Sequence, residues 1–358
     1  MTRIRALRQG DLPQVVALYR SYLAWPHVAD GDELIAAFGR IFLDGPRCDP
    51  DIPSRVLEGA DGEVLGFIGS LVHRMRFEDR PVRLACSSSL VVAPRARQIG
   101  AGALLLRRHL AGPQDLTITD TAGGATERMW KGFGGFTHHM GSITWLHPMR
   151  PLRMAVGLGL WRMGRPGMIA PAGALCRPLD ALYARWDATG AARGSGDASD
   201  EPLAPKLLID HLRIGPQRFR LWPDHDPASL DELFDEIHRS RANGRLVKRF
   251  VRGARGEPLG WYILSLLPNG ICYVLHLAAA PGSERLLLEQ VLRTAREISA
   301  AAVAGRLEPW VLEVLPSRTL MFSRVKFLVH SRDQALCDAV RAGEALLTGL
   351  ESDIWMPR

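Results

Sequence analysis

Apolar residues recur along this chain with two spacings, one suited to strands and one to helices, and the two alternate. Residues 3–7 read as a short strand. Leu12, Val15, Val16, Leu18, Tyr19 and Leu23 then fall on one helical face, with Asp11 placed to cap it and Pro13 in its first turn. A second helix is predicted over 32–43. Residues 44–54 are a loop by composition, and 56–58 and 63–75 form a strand pair around Gly59-Ala60-Asp61-Gly62. The stretch 84–92 is a strand stopped by Pro94, which cannot donate to a sheet ladder. Past a short basic turn, Ile99, Ala103, Leu106 and Leu110 mark a helix. A compact strand (116–120), a short helix (125–133) and a strand (137–146) complete this unit.

The second half repeats the order in outline. An opening strand is predicted at 219–222, then a helix over 226–240 with Ser229 and Glu232 at capping-box spacing. Strands follow at 246–252, 259–266 and 271–278, then an amphipathic helix over 284–299 and strands at 310–314 and 327–331. Between the halves, the pattern implies a connector and a flexible linker, GAARGSGDASD, at 190–200. The expected division is 1–148, a connector at 149–204, and 205–358.

The chemistry concentrates in Arg97-Gln98-Ile99-Gly100-Ala101-Gly102, between the 84–92 strand and its helix. A helix N-terminus presents unpaired N–H groups and partial positive charge. Gly100 and Gly102 remove side chains, so an anion's oxygens can approach the backbone. This stretch resembles the cofactor motif of the GNAT superfamily of CoA-dependent N-acyltransferases, in which Arg/Gln-x-x-Gly-x-Gly/Ala follows a strand; Arg97, Gly100 and Gly102 match it. The resemblance implies an α/β chain of two tandem GNAT-like domains, each a mostly antiparallel twisted sheet flanked by helices. It also implies that acetyl-CoA or another acyl-CoA places its pyrophosphate on the amides of Gln98, Ile99, Gly100, Ala101, Gly102 and Ala103. The pantetheine arm is then expected along Leu90, Val91 and Val92, and the acyl chain in a gap beside the 116–120 strand. Trp25, Pro26 and His27 would border the acceptor pocket, or form a packed loop.

The chain departs from the family pattern in several places. Gln98 stands where many members have a glycine. Trp130 stands where the family often has a tyrosine that protonates the departing thiolate, and an indole N–H cannot serve as that acid. Gly124 replaces an asparagine. In the second half, AAAPGSERLLL lacks the Arg-x-x-Gly-x-Gly signal, so this unit reads as a degenerate copy. Asp120 is the first candidate for the base, ahead of Glu58 and Glu78. Ser88, within Ser87-Ser88-Ser89, is a candidate to orient the acceptor or the leaving thiol, or else a small residue permitting a bulge. His138 and His139 are expected on opposite faces of one strand, which disfavours a shared metal. The leading expectation is an N-acyltransferase acting on a small amine, such as an amino sugar or cell-surface precursor. The alternatives are an acyl-CoA-binding or sensing module without catalysis, and a transferase using aminoacyl-tRNA.

Composition narrows the setting. Of 358 residues 47% are hydrophobic, enough for two cores, and 45 Lys and Arg against 38 Asp and Glu leave a net charge of +7. That excess is too moderate to call for nucleic acid. Five scattered cysteines form no Cys-x-x-Cys pair, so neither a disulfide framework nor a metal site is expected, and a reducing cytoplasm is favoured. The first residues lack a signal peptide's apolar run. From Arg128 to Leu179 there is no Asp or Glu, while arginines flank the apolar LRMAVGLGLWRMG. That segment either packs between the halves or lies on an anionic membrane surface.

Overall fold

The computed structural model describes residues 2–22, 30–183, 198–214, 219–239 and 244–356. It contains two mixed sheets flanked by helices. The first places β1 (Arg3–Ala6), β2 (Arg55–Glu58), β3 (Val64–Phe77), β4 (Arg80–Val92), β5 (Leu116–Ala122), β15 (Lys326–Ser331) and β6 (Phe136–Thr137) side by side. The second runs β14 (Leu320–Phe322), β7 (Thr144–Pro148), β13 (Ala302–Arg306), β12 (Ile271–Ala279), β11 (Pro258–Leu266), β10 (Arg245–Arg252) and β8 (Ser199–Pro202).

The two halves have exchanged their closing strands. β7 leaves the first sheet and pairs in the second, with Leu146 opposite Ala304 on β13 and Leu320 on β14. β15 enters the first sheet between β5 and β6, with Val329 opposite Ile118 and Phe136. Both strands are mostly buried apolar runs, and such runs satisfy any interior slot equally well, so their sequence carries no mark of which sheet they join. β9 (Leu221–Pro223), expected to open the second unit, likewise pairs with β3 of the first sheet.

Helices α1 (Leu12–Tyr22) and α2 (Gly31–Gly39) cover one face of the first sheet. Phe38 and Phe42 meet Phe67 of β3 there, at 6.1 and 5.3 Å between ring centroids. Gly69 is required beneath them, because a Cβ would come within 2.4 Å of the Phe42 ring. The same core continues through Phe250, Trp261 and Ile263 of the second sheet and into α8 (Pro205–Ile214) and α9 (Pro227–Arg239), so the halves share it. On the opposite face of the first sheet, α3 (Pro94–Arg97), α4 (Ala101–Leu110) and α5 (Gly124–Gly132) pack through Leu105, Leu106 and Trp130 onto Ile68, Val92 and Leu328. In the second half, α10 (Glu284–Glu297) buries Leu287, Leu288 and Val291 against β11 and β12.

Four local expectations change. Residues 310–314 are not a strand: Pro309 starts a helical turn, α11 (Pro309–Leu312), and the strand is the preceding β13. The cap of α9 is Asp226, whose carboxylate accepts from the Ser229 amide at 2.9 Å and the Ser229 hydroxyl at 2.6 Å. The stretch 137–146 is broken by a 3₁₀ turn at Met140–Ser142. Ser199–Pro202 is an edge strand on β10, whereas residues 190–197 of the expected linker lie outside the described residues. The connector forms α6 (Pro151–Arg162) and α7 (Ile169–Leu175), and Asp180 caps α6 through the amides of Leu152 and Arg153.

Candidate active site

The central strands of the first sheet pair in parallel at Leu84–Leu116, Ala85–Thr117 and Cys86–Ile118, and there the ladder ends, although β4 runs on to Val92 and β5 to Ala122. Both strands bulge just past that point. On β4, Phe67 faces Val91 and Gly69 faces Ser88, so an extra residue is accommodated at Ser89, whose φ is 52°. On β5, Leu328 faces Thr119 while Lys326 faces Ala122. Bulges bend strands and increase twist, which opens a gap between the two.

β4 leads directly into the glycine turn. Gly100 takes the left-handed conformation at φ 69° and is the N-cap of α4, with no side-chain cap. A Cβ built on Gly100 meets nothing within 4 Å, and Arg97, Gln98, Ile99 and Gly100 are all exposed. The amides of Ala101, Gly102 and Ala103 open the helix and so lack intrahelical acceptors. Arg97 lies 5.5 Å from the Tyr22 ring, and Arg95 pairs with Glu63. Leu90 is half-buried, and Val91 and Val92 are buried, on the stretch of β4 beyond the ladder. The turn is thus an open cationic cradle at the head of the gap, which fits a phosphate-bearing ligand. Ile99, expected on the packed face of the helix, is 55% exposed, and Leu105 takes the inward role.

From the other face, the end of the chain enters the gap. Ser88 Oγ donates to Asp353 Oδ2 at 2.7 Å, and Thr121 Oγ1 donates to Asp353 Oδ1 at 3.1 Å. One carboxylate therefore ties the bulged part of β4 to the bulged part of β5. Met356 Sδ also lies 3.1 Å from Ser88 Oγ. The segment is fixed by a buried hub at Glu351, which is fully enclosed. Its Oε2 accepts from the Thr348 amide at 2.8 Å and the Thr348 hydroxyl at 2.7 Å, and Oε1 lies 3.3 Å from His225 Nε2. Burial alone would raise this carboxyl's pKa, but His225, His276 and His73 around it hold it far below the usual range. His276 Nδ1 in turn meets Thr348 Oγ1 at 2.7 Å. Among the described residues, no group of three or more His, Cys, Asp or Glu side chains is arranged to hold a metal ion.

The bases picked from the sequence are otherwise engaged. Asp120 is 8% exposed and lies 3.5 Å from Arg306 of the second sheet. Glu58 is bound to Arg5 and Arg3, and those hydrogen bonds pull its pKa down to about 2. Glu78 pairs with Arg220 at 2.7 Å, at the far end of the β3–β4 hairpin. Cys86 is fully buried, and desolvation drives its thiol well above its ordinary pKa. Trp130 is fully enclosed under α5, and Gly124 is exposed at that helix's start. His138 stands edge-on to Phe327 and accepts from the Gly141 amide, while His139 is exposed. Trp25, Pro26 and His27 lie outside the described residues.

Asp353 is the residue that the sequence did not announce. Nothing in ESDIWMPR marks it as catalytic, and only the shared core brings it to Ser88.

The second sheet repeats the device without the cradle. β12 and β13 pair in parallel from Ile271–Ala302 to Val274–Gly305 and then separate, and β12 bulges where Ile263 faces His276 and Leu264 faces Val274. Here the tail fills the gap, as the Gly349 amide donates to the Leu275 carbonyl at 2.7 Å. The turn into α10 has Gly282 at φ 84° but carries the acidic Glu284 in the helix's first turn.

No protein-family model and no curated protein matches this chain. Solved structures do. A GCN5-related N-acetyltransferase from Anabaena variabilis ATCC 29413 aligns over 93% of this chain and 74% of its own, at a TM-score of 0.58 and 12% identity. A GCN5-related N-acetyltransferase from Kribbella flavida aligns over 96% and 73%, at 0.54 and 13%. A conserved protein of unknown function from Enterococcus faecalis V583, described as a probable N-acyltransferase, aligns over 92% and 72%, at 0.58 and 9%. At these identities the likeness concerns the fold, and this chain has the fold of the GCN5-related N-acetyltransferases.

Proposed function

We propose that the chain is an N-acyltransferase that moves an acyl group from acyl-CoA to a small amine. The observation that carries this reading is the opened β4–β5 pair with the uncapped α4 start at its head. Bound acyl-CoA would supply a thioester that an amine attacks directly. The amides of residues 98–103 would hold the pyrophosphate, and backbone groups left unpaired beyond the ladder, at the Ser89 bulge, would orient the acyl carbonyl. As the C–N amide bond forms, the C–S bond breaks, CoA leaves as its thiolate to be protonated, and the amine must lose a proton. Asp353 sits at the gap to take it, and Ser88 and Thr121 hold that carboxylate in place. The acidic start of α10 and the tail in the second gap leave the second sheet a supporting role.

A sensing role without catalysis is the second reading, favoured by the enclosed Trp130 at the position of the family's tyrosine. Calorimetry with acetyl-CoA, and release of free CoA in the presence of a panel of amines, separate the two. We expect binding that Gly100→Val and Arg97→Glu each weaken at least tenfold, and turnover in the unmodified protein. Absence of binding heat sinks both readings, and binding without CoA release selects the second.

The connector supports a surface contact. Leu152, Met163, Met168, Leu175, Leu179 and Leu182 are all exposed, beside exposed Arg162, Arg165 and Arg177. An apolar surface ringed by arginines suits an anionic membrane face. Arg150 does not belong to it, since its guanidinium binds the carbonyls of Ala300 and Arg296. No helix among the described residues is long and apolar enough to cross a membrane.

A further inference from the structure

A cavity of about 580 Å³ lies between the β3–β4 hairpin, the loop after α2 and the start of α9. Its lining includes a buried cation with no carboxylate bonded to it among the described residues. Arg47 is 8% exposed, and its Nε has no hydrogen-bond partner. Among the described residues no carboxylate forms an ion pair with its guanidinium, which instead stacks on the Trp355 ring at 4.8 Å. Glu236 and Glu232 attract it only through space, without a bond, and the carboxylates that line the cavity are committed elsewhere. Asp49 pairs with Arg83 at 3.3 Å, Asp226 with Arg74 at 3.2 Å, and Asp224 with Arg76 at 3.5 Å. Asp115 accepts the Arg83 amide at 2.7 Å. Glu236, just outside, forms two bonds to Arg40 at 3.0 and 3.1 Å.

Burying a guanidinium unpaired is strongly unfavourable. Desolvation brings the Arg47 pKa down to about 10, so it is still charged at neutral pH. A fold that leaves one such charge facing a cavity while neutralising its neighbours has prepared a place for an anion. Guanidinium forks match carboxylate and phosphate oxygens in particular. The cavity lies within reach of the proposed catalytic gap. Trp355, against Arg47, is two residues from Asp353. His73, on the cavity wall, is opposite Leu84, and Ser88 follows four residues along β4, about 13 Å at the usual strand rise.

We propose that this cavity binds the anionic end of the acceptor, a carboxylate or phosphate carried on the same molecule as the amine, with Arg47 as its counter-charge. The inference rests on the acyltransferase reading for the identity of the ligand as acceptor, and on the cavity alone for anion binding.

The test is thermal unfolding of the full-length protein with inorganic phosphate or succinate, against sodium chloride at matched ionic strength. Acetyl-CoA calorimetry is run on the same samples. We expect a saturable rise in Tm with at least one anion, and the anion that gives the larger rise identifies the group. Arg47→Met should abolish the rise and leave acetyl-CoA affinity unchanged. Arg47→Lys, which keeps the charge without the fork, should weaken anion binding at least tenfold and covers the case in which the methionine variant does not fold. Arg97→Glu should retain the rise, which separates this site from the glycine turn. No saturable rise with either anion, or a rise that survives at full strength in the folded Arg47 variants, overturns the proposal. Anion binding at Arg47 in a protein that shows no heat with acetyl-CoA would leave the cavity site standing while the acyltransferase reading fell.

Discussion

The carboxylate of Asp353 is bonded to a serine 265 residues earlier in the chain, and two hydroxyls orient it into the gap. A positioned base is worth about 10²–10⁴ in rate. Asp353→Asn is therefore expected to lower turnover about 100-fold while calorimetry shows unchanged acetyl-CoA affinity; full activity in that variant would remove Asp353 from the mechanism. A second residue makes a prediction about pH. His109 of α4 is 2% exposed, and burial, then Arg55 and His330, lower its pKa to about 4. The unfolded chain binds that proton near pH 6.5 and the folded chain does not, so stability is intact above about pH 6.5 and falls as pH drops toward 4. His109→Leu should remove of order 3 kcal/mol of that loss, read as a flatter dependence of urea midpoint on pH between 6.5 and 4. At this scale the sequence was partly legible. Ser88 and the turn at Arg97 to Ala103 are placed around one gap because a strand, a proline and a glycine turn are local signals. Asp120 meets Arg306 of the other sheet at 3.5 Å, a contact that no local pattern announces.

Elements whose identity follows from their own periodicity were readable: β3, β4, α4, α10 and both strands of the β10–β11 hairpin. Those whose place depends on a distant neighbour were not. β15 and the first residues of β7 read as strand, yet each joins the sheet of the other half. Likewise, a strand was read at 310–314 because Trp310, Val311, Leu312 and Val314 are apolar, although Pro309 fits the first turn of a helix. The exchange gives an element-scale prediction. Residues 1–142 expressed alone should fail to form a stable sheet, because β6 has no β15 to pair with and the edge of β5 is bare. Co-expression with residues 143–358 should restore a soluble complex. A monomeric, cooperatively unfolding 1–142 fragment would contradict this.

For the molecule as a whole, the connector hairpin is the most unusual surface, since six large apolar side chains between Leu152 and Leu182 face outward. If it meets a membrane, replacing Arg162, Arg165 and Arg177 with Glu should abolish sedimentation with phosphatidylglycerol vesicles and leave acetyl-CoA binding intact. Equal sedimentation of both proteins would leave the hairpin as a contact for some other partner. The two sheets also share one core, and Asp353 reaches the gap from a segment that both halves together hold in place, so no local pattern in the sequence announces it.

The traded strands also dictate an order of events during synthesis. Ser331 bonds to the carbonyl of Asp115, 216 residues upstream, so the flank of β5 stays unpaired until residues 326–331 have emerged. Until then a nascent chain would expose the unpaired flank of β5 to any passing strand, and pairing over such a separation is slow. Efficient maturation of this protein should therefore lean on chaperones that shield the waiting slot, and ribosome stalling shortly before residue 326 should be more damaging than stalling anywhere in the first hundred residues.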